Sequence, residues 1–167
     1  ENPSLTPGTV LWAETFGNVG TGETTFTKIT TYISTYDYSG RTGYEDNAKV
    51  TYTSDATNQV RITKSSGANM TSSHLWFNKS QAGVFTTSPI KLYGATNLQF
   101  SFATSKGKTI TSYSTNGGTT WVSLGTNTTA NANKSYTFTV NSDTQAILIK
   151  IEHDKADATN TRVDNLK

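Results

Sequence analysis

Leu98-Gln99-Phe100-Ser101-Phe102 and Ile147-Leu148-Ile149-Lys150-Ile151 each place an apolar side chain at every second position. Successive side chains of an extended backbone point to opposite faces, so this alternation predicts strands with one face toward a core. Val60-Arg61-Ile62 and Tyr136-Thr137-Phe138-Thr139-Val140 repeat it. Glycine and asparagine clusters punctuate the strands, at Gly17-Asn18, Ser66-Gly67, Tyr93-Gly94 and Asn116-Gly117-Gly118. No segment sustains a helical period over three turns, and no repeat recurs at a fixed interval, which argues against solenoids and propellers. The expected fold is all-β: a two-sheet antiparallel β-sandwich of the jelly-roll kind.

The chain has 167 residues, enough for one domain with a proper core and too few for two comfortable ones. Residues 10–167 are expected to form a single sandwich. Residues 1–9, polar and with two prolines, read as a linker or a trimmed mature end. Lys167 follows directly on strand-like sequence, so the natural protein is expected to continue into flanking domains. Only 16% of residues are charged, the net charge is +2, and lysines and arginines are scattered singly. Such a surface offers no basic stripe for a phosphate backbone, so no nucleic-acid partner is expected. No apolar run approaches the roughly 20 residues of a membrane span, so membrane insertion is not expected either. Without cysteine there is neither a disulfide framework nor a thiolate metal site.

The ends of the chain carry an unusual pairing. Val10-Leu11-Trp12-Ala13-Glu14-Thr15-Phe16 reads as a strand in which Glu14 shares a face with Trp12 and Phe16. Thr161-Arg162-Val163-Asp164-Asn165-Leu166 reads as another, with Asp164 on the parity of Leu166. A buried carboxylate needs a cation, a basic partner or protonation. If the two strands lie side by side, Glu14 and Asp164 can share calcium, with Asn18, Asp46 or Asn47 adding oxygens to the six to eight that the ion takes. The competing reading pairs the acids with Arg41, Arg162 or a lysine, or turns them to water.

Two stretches suggest ligand contact. Tyr32 to Asp46 concentrates tyrosines with acids, an arginine and glycines. Aromatic rings cover the apolar face of a sugar while polar side chains bond its hydroxyls, so Tyr36, Tyr38, Arg41 and Tyr44 are candidate ligand residues. In His74-Leu75-Trp76-Phe77-Asn78, His74 and Trp76 share one parity and Leu75 and Phe77 the other. Trp76 therefore reads equally as a stacking platform or as a core residue.

Ser114-Thr115-Asn116-Gly117-Gly118-Thr119-Thr120-Trp121 reads as a hairpin turn and resembles the Asp-box repeat, with Asn116 in the place of the aspartate. There Trp121 is expected to cap the hairpin.

Catalytic templates fit poorly. There is no thiol nucleophile, no Gly-x-Ser-x-Gly elbow, no phosphate loop and no two-histidine zinc motif. His153 adjoins Asp154, but neighbours on a strand face opposite ways and do not make an orienting pair. The protein is expected not to be an enzyme.

Taken in order, Leu11 to Phe16, Phe85 to Ile90 leading into Asn97 to Phe102, the Ser114 to Trp121 hairpin, and Arg162 to Leu166 resemble the jelly-roll accessory modules of extracellular bacterial proteins. These are the choice-of-anchor J, galactose-binding-like and carbohydrate-binding-module-like domains. The resemblance implies a β-sandwich, often with a structural calcium near the chain ends. It also implies a carbohydrate-binding accessory role in a secreted or cell-surface protein, or else a structural or protein-interaction spacer. Asn165 departs from the pattern, since a second acid often follows the first.

Overall fold

The computed structural model describes residues 5–17, 29, 49–55, 59–64 and 73–167. Among them run eleven strands: β1 (Tyr52–Ser54), β2 (Val60–Thr63), β3 (His74–Phe77), β4 (Val84–Thr87), β5 (Ile90–Lys91), β6 (Asn97–Thr104), β7 (Thr109–Ser114), β8 (Val122–Asn127), β9 (Ala132–Thr139), β10 (Ala146–His153) and β11 (Thr161–Asp164). They form two antiparallel sheets. The first runs β1-β4-β10-β7-β8, with β5 also paired to β10; the second runs β2-β3-β11-β6-β9. The chain crosses repeatedly from one sheet to the other, as expected of a jelly roll. No helix among the described residues is long and apolar enough to cross a membrane.

The alternating segments become strands because each has a face to bury. Along β10, Ile147, Ile149, Ile151 and His153 turn inward while Ala146, Leu148, Lys150 and Glu152 are half-buried on the other side. Facing them across the sandwich are Val60, Ile62, Leu75, Phe77, Phe100, Phe102 and Val163, all in the same hydrophobic core. Aromatic contacts stitch the sheets together: Tyr113 of β7 meets Phe138 of β9 at 4.5 Å between ring centroids, and Phe77 of β3 stacks on His153 of β10 at 6.3 Å. Burial of a phenylalanine or isoleucine side chain here contributes about 1.5–3 kcal/mol.

The N-terminal strand differs from expectation. Among the described residues Val10 to Phe16 forms no ladder, and its one pairing there is a bridge between Glu14 and Leu166. Phe16 has φ 57°, which turns the backbone out of the extended region. The closing strand also breaks early. β11 ends at Asp164, and Asn165 has φ 52°, so Asp164 and Leu166 do not belong to one uninterrupted alternation. Beyond that kink, Leu166 bonds to Glu14 on one side, and Lys167 exchanges two backbone hydrogen bonds with Ser101 of β6 on the other.

Candidate functional site

The chain ends do lie side by side. The Glu14 amide donates to the Leu166 carbonyl at 2.7 Å, and the Leu166 amide returns a bond to Glu14 at 2.9 Å. Both acids are buried at 2% exposure. The Glu14 carboxylate accepts the Phe16 amide at 2.8 Å through Oε2 and the Tyr52 hydroxyl through Oε1, while Trp12 Nε1 donates to that same hydroxyl at 3.2 Å. A relay of indole, phenol and carboxylate thus ties the N-terminal segment to β1. Asp164 accepts the Asn165 amide at 2.8 Å. Among the described residues no three histidine or acidic groups gather as a metal cluster. Asn18, Asp46 and Asn47 lie outside the described residues, as do Tyr36, Tyr38, Arg41 and Tyr44.

Trp76 is half-buried on the outer face of the second sheet, with Leu75 and Phe77 fully buried on the inner face, as their parity predicts. His74 shares the parity of Trp76 and is nevertheless buried. Strand register sets Arg61 of β2 and Arg162 of β11 directly across from Trp76 on its two sides. Their guanidinium carbons lie 4.3 and 4.6 Å from the indole ring centre. A guanidinium over an aromatic face is held by the ring quadrupole, worth roughly 0.5–2 kcal/mol according to solvation. Burial holds the Arg162 guanidinium below its ordinary value. Two guanidinium groups are thereby fixed in one cross-strand row with the indole between them, Arg61 buried at 1% exposure and Arg162 half-buried. This row was not legible beforehand, because register is a property of the paired sheet.

The Ser114 to Trp121 segment is a hairpin joining β7 to β8. Gly117 and Gly118 supply the positive φ values, 68° and 89°. Asn116 acts through its side chain instead: Oδ1 accepts the Thr120 amide and the Ser114 hydroxyl, each at 2.9 Å, and Nδ2 donates to the Thr120 hydroxyl at 2.9 Å. The half-buried Trp121 packs over Gly118 and lies 4.5 Å from the Lys150 ammonium. It caps the hairpin, and it also reaches the outer face of the first sheet.

His153 has a partner, four residues away rather than next door. Its Nε2 lies 3.6 Å from Asp157 Oδ2, and its Nδ1 donates to the Gln81 carbonyl at 2.8 Å. Asp157 also accepts the Lys108 amide and, through Oδ1, both the amide and the hydroxyl of Thr159 at 2.9 and 2.8 Å. Burial alone would raise the Asp157 carboxyl; the bonds from Thr159 and Lys108 and the nearby His153 outweigh it and hold the group below its ordinary value. The ring lies within the core against Phe77, and the arrangement joins three loops at one end of the sandwich.

No protein-family model and no curated protein matches the chain. Solved structures with a similar course include TmCBM61 in complex with β-1,4-galactotriose, at TM-score 0.49 and 18% identity over 70% of this chain and 85% of that one. A family 29 carbohydrate-binding module from Piromyces equi reaches 0.42 and 10%, covering 70% and 88% of the two chains. The K2 cleaved adhesin domain of Lys-gingipain reaches 0.44 and 10%, covering 77% and 94%. At TM-scores below 0.5 these likenesses carry no argument about function, and the sandwich rests on its own strand pairing.

Proposed function

We propose that the protein is a non-catalytic carbohydrate-binding module of a larger secreted or cell-surface protein. The observation that carries this reading is Trp76 with Arg162 beside it, both half-buried on the outer face of the second sheet, while Arg61 on the ring's other side is buried. The Arg162 guanidinium offers five donors in a rigid fork, suited to the closely spaced hydroxyls of a sugar. Held against the indole, it loses less freedom on binding than a solvent-borne arginine would. The indole supplies the apolar contact. Tyr36, Tyr38, Arg41 and Tyr44 complete the proposed ligand set. A glycan array probed with the whole chain tests the reading; no signal above background across plant and host glycans contradicts it.

Calcium at the chain ends belongs to the same proposal, with Glu14 and Asp164 as charged ligands and Asn18 and Asp46 adding oxygens. Support comes from two buried acids on chain ends that pair with one another. Each oxygen of Glu14 accepts a hydrogen bond, and carboxylate oxygens are the hard donors that calcium takes. The ion would neutralise charge that the fold has withdrawn from water. Its loss would loosen the joint between Glu14 and Leu166.

One observation favours a second reading, a structural or protein-interaction spacer. The arginines approach Trp76 from strands on opposite sides, so the ring is flanked by cations rather than offered as an open platform. A spacer would retain its fold and its partners when Arg162 is replaced, and would bind no sugar before or after.

A further inference from the structure

The outer face of the first sheet carries a chemistry that the row around Trp76 does not use. Register sets Thr53 beside Thr86, Thr86 beside Lys150, Lys150 beside Ser112, and Ser112 beside Ser123. One line of side chains therefore crosses the five strands from β1 to β8, with Thr53 and Ser123 exposed at its ends, Thr86 and Lys150 half-buried, and Ser112 buried between Lys150 and Ser123. At about 4.8 Å between neighbouring strands the line is about 19 Å long. Each member lies on the parity opposite to core residues such as Tyr52, Phe85, Ile149 and Ile151, so the line lies on the outer face, where Thr53, Thr86, Lys150 and Ser123 reach solvent and Ser112 is covered.

Trp121 shares the parity of Ser123 and leads into β8 beside this line. Its indole is half-buried and 4.5 Å from the Lys150 ammonium. The turn lies against the ring: Gly118, at φ 89°, holds a left-handed backbone from which an added methyl would sit in ordinary contact, 3.5 Å from Trp121 Cζ2. Leu148, Ile110 and Val84, all half-buried, flank the polar line on the same face. Along β10 the face carries one cation, Lys150, and two residues on one anion, Glu152. Their charges offset, so the central strand complements an uncharged chain rather than a polyanion.

We propose that this face is a second carbohydrate-contact surface, taking an uncharged polysaccharide laid across the strands with one sugar ring against Trp121. The hydroxyls of Thr53, Thr86 and Ser123 and the Lys150 ammonium exchange hydrogen bonds with hydroxyls of successive sugars. The flanking aliphatic side chains and the indole meet the carbon faces of the rings. The surface shares no residue with the row around Trp76.

The test titrates the 15N-labelled chain with soluble mixed-linkage β-glucan, galactan and glucomannan, following amide and indole shifts, for wild type, Trp121→Ala, Lys150→Ala and Arg162→Ala. The expected result is that one of these polymers shifts Trp121, Lys150, Ser112 and Ser123. Trp121→Ala and Lys150→Ala should each weaken that binding about tenfold or more. Lys150→Ala leaves the hairpin intact, so a loss there with an unchanged melting temperature cannot be ascribed to unfolding. Shifts confined to the second sheet, with only Arg162→Ala impaired, overturn this surface and leave the proposed function standing. Tighter binding of polygalacturonate than of any neutral polymer overturns the uncharged occupant. No shift with any polymer overturns both.

Discussion

Tyr52 and Glu14, 38 residues apart in the chain, meet in the core as hydroxyl donor and buried carboxylate acceptor. The acid that sequence parity placed on an apolar face is thus supplied by a phenol from β1 and an amide from its own segment. Replacing Tyr52 by Phe keeps the ring, with its tilted contact to Phe85 at 4.9 Å, and deletes the donor. Leaving a buried charged acceptor short of a partner costs about 1–3 kcal/mol. Urea denaturation should show a loss of that size in Tyr52→Phe, and a wild-type midpoint would mean the bond contributes nothing.

Gly107 tests the tight end of the sandwich. Its φ is 94°, and a methyl there would fall 1.6 Å from Thr161 Oγ1 and 2.6 Å from Asp157 Oδ2. Gly107→Ala must therefore displace β11 or the loop that carries Asp157. Overpacking of this kind costs about 1–3 kcal/mol, to which the left-handed backbone adds. A thermal melt should fall by several degrees.

Asp157 gives the fold a dependence on acid. Its carboxyl is held below its ordinary value, so its contribution is fully present above that value of 3.8 and fades as pH falls through the lowered one. Asp157→Asn should lower the urea midpoint at neutral pH, and the gap between mutant and wild type should close as pH falls through the lowered value. A constant gap between them across the whole range would show that the carboxylate is not the stabilising group.

The hairpin separates the two functions of Asn116. Asn116→Ala removes an acceptor of two bonds and should cost about 1 kcal/mol. Asn116→Asp keeps those acceptors, losing only the donor to the Thr120 hydroxyl, and should lie within about 0.5 kcal/mol of wild type. Equal losses in the two variants would assign the turn to its glycines alone.

What could be read before folding was whatever depended on one strand at a time. The inward faces of β6, β9 and β10 follow from alternation, because each strand has a core on one side and water on the other. Two kinds of feature escaped. Local departures such as Phe16 and Asn165, both at positive φ, cut strands that alternation would have continued. Relations between strands are the other: the sequence puts Trp76 on the parity of His74 without saying which face is buried, and the arginines on its two sides are set by register. Likewise His153 adjoins Asp154 in sequence, whereas the loop after β10 returns Asp157 to it.

Calcium has a direct readout in stability. If Glu14 and Asp164 hold the ion, adding a chelator should lower the melting temperature of wild type and leave Glu14→Gln nearly unchanged. Excess calcium should raise the wild-type value by mass action. A melt insensitive to chelator in both proteins contradicts the metal.

The central claim is that the sandwich binds glycans through the row around Trp76. Isothermal titration of the whole chain with the best ligand from the glycan array, for wild type and Arg162→Ala at matched melting temperatures, tests it most directly. The account predicts saturable binding that Arg162→Ala weakens at least about tenfold, a loss of about 1.4 kcal/mol. Equal affinities in the two proteins, or no heat with any sugar, would contradict it.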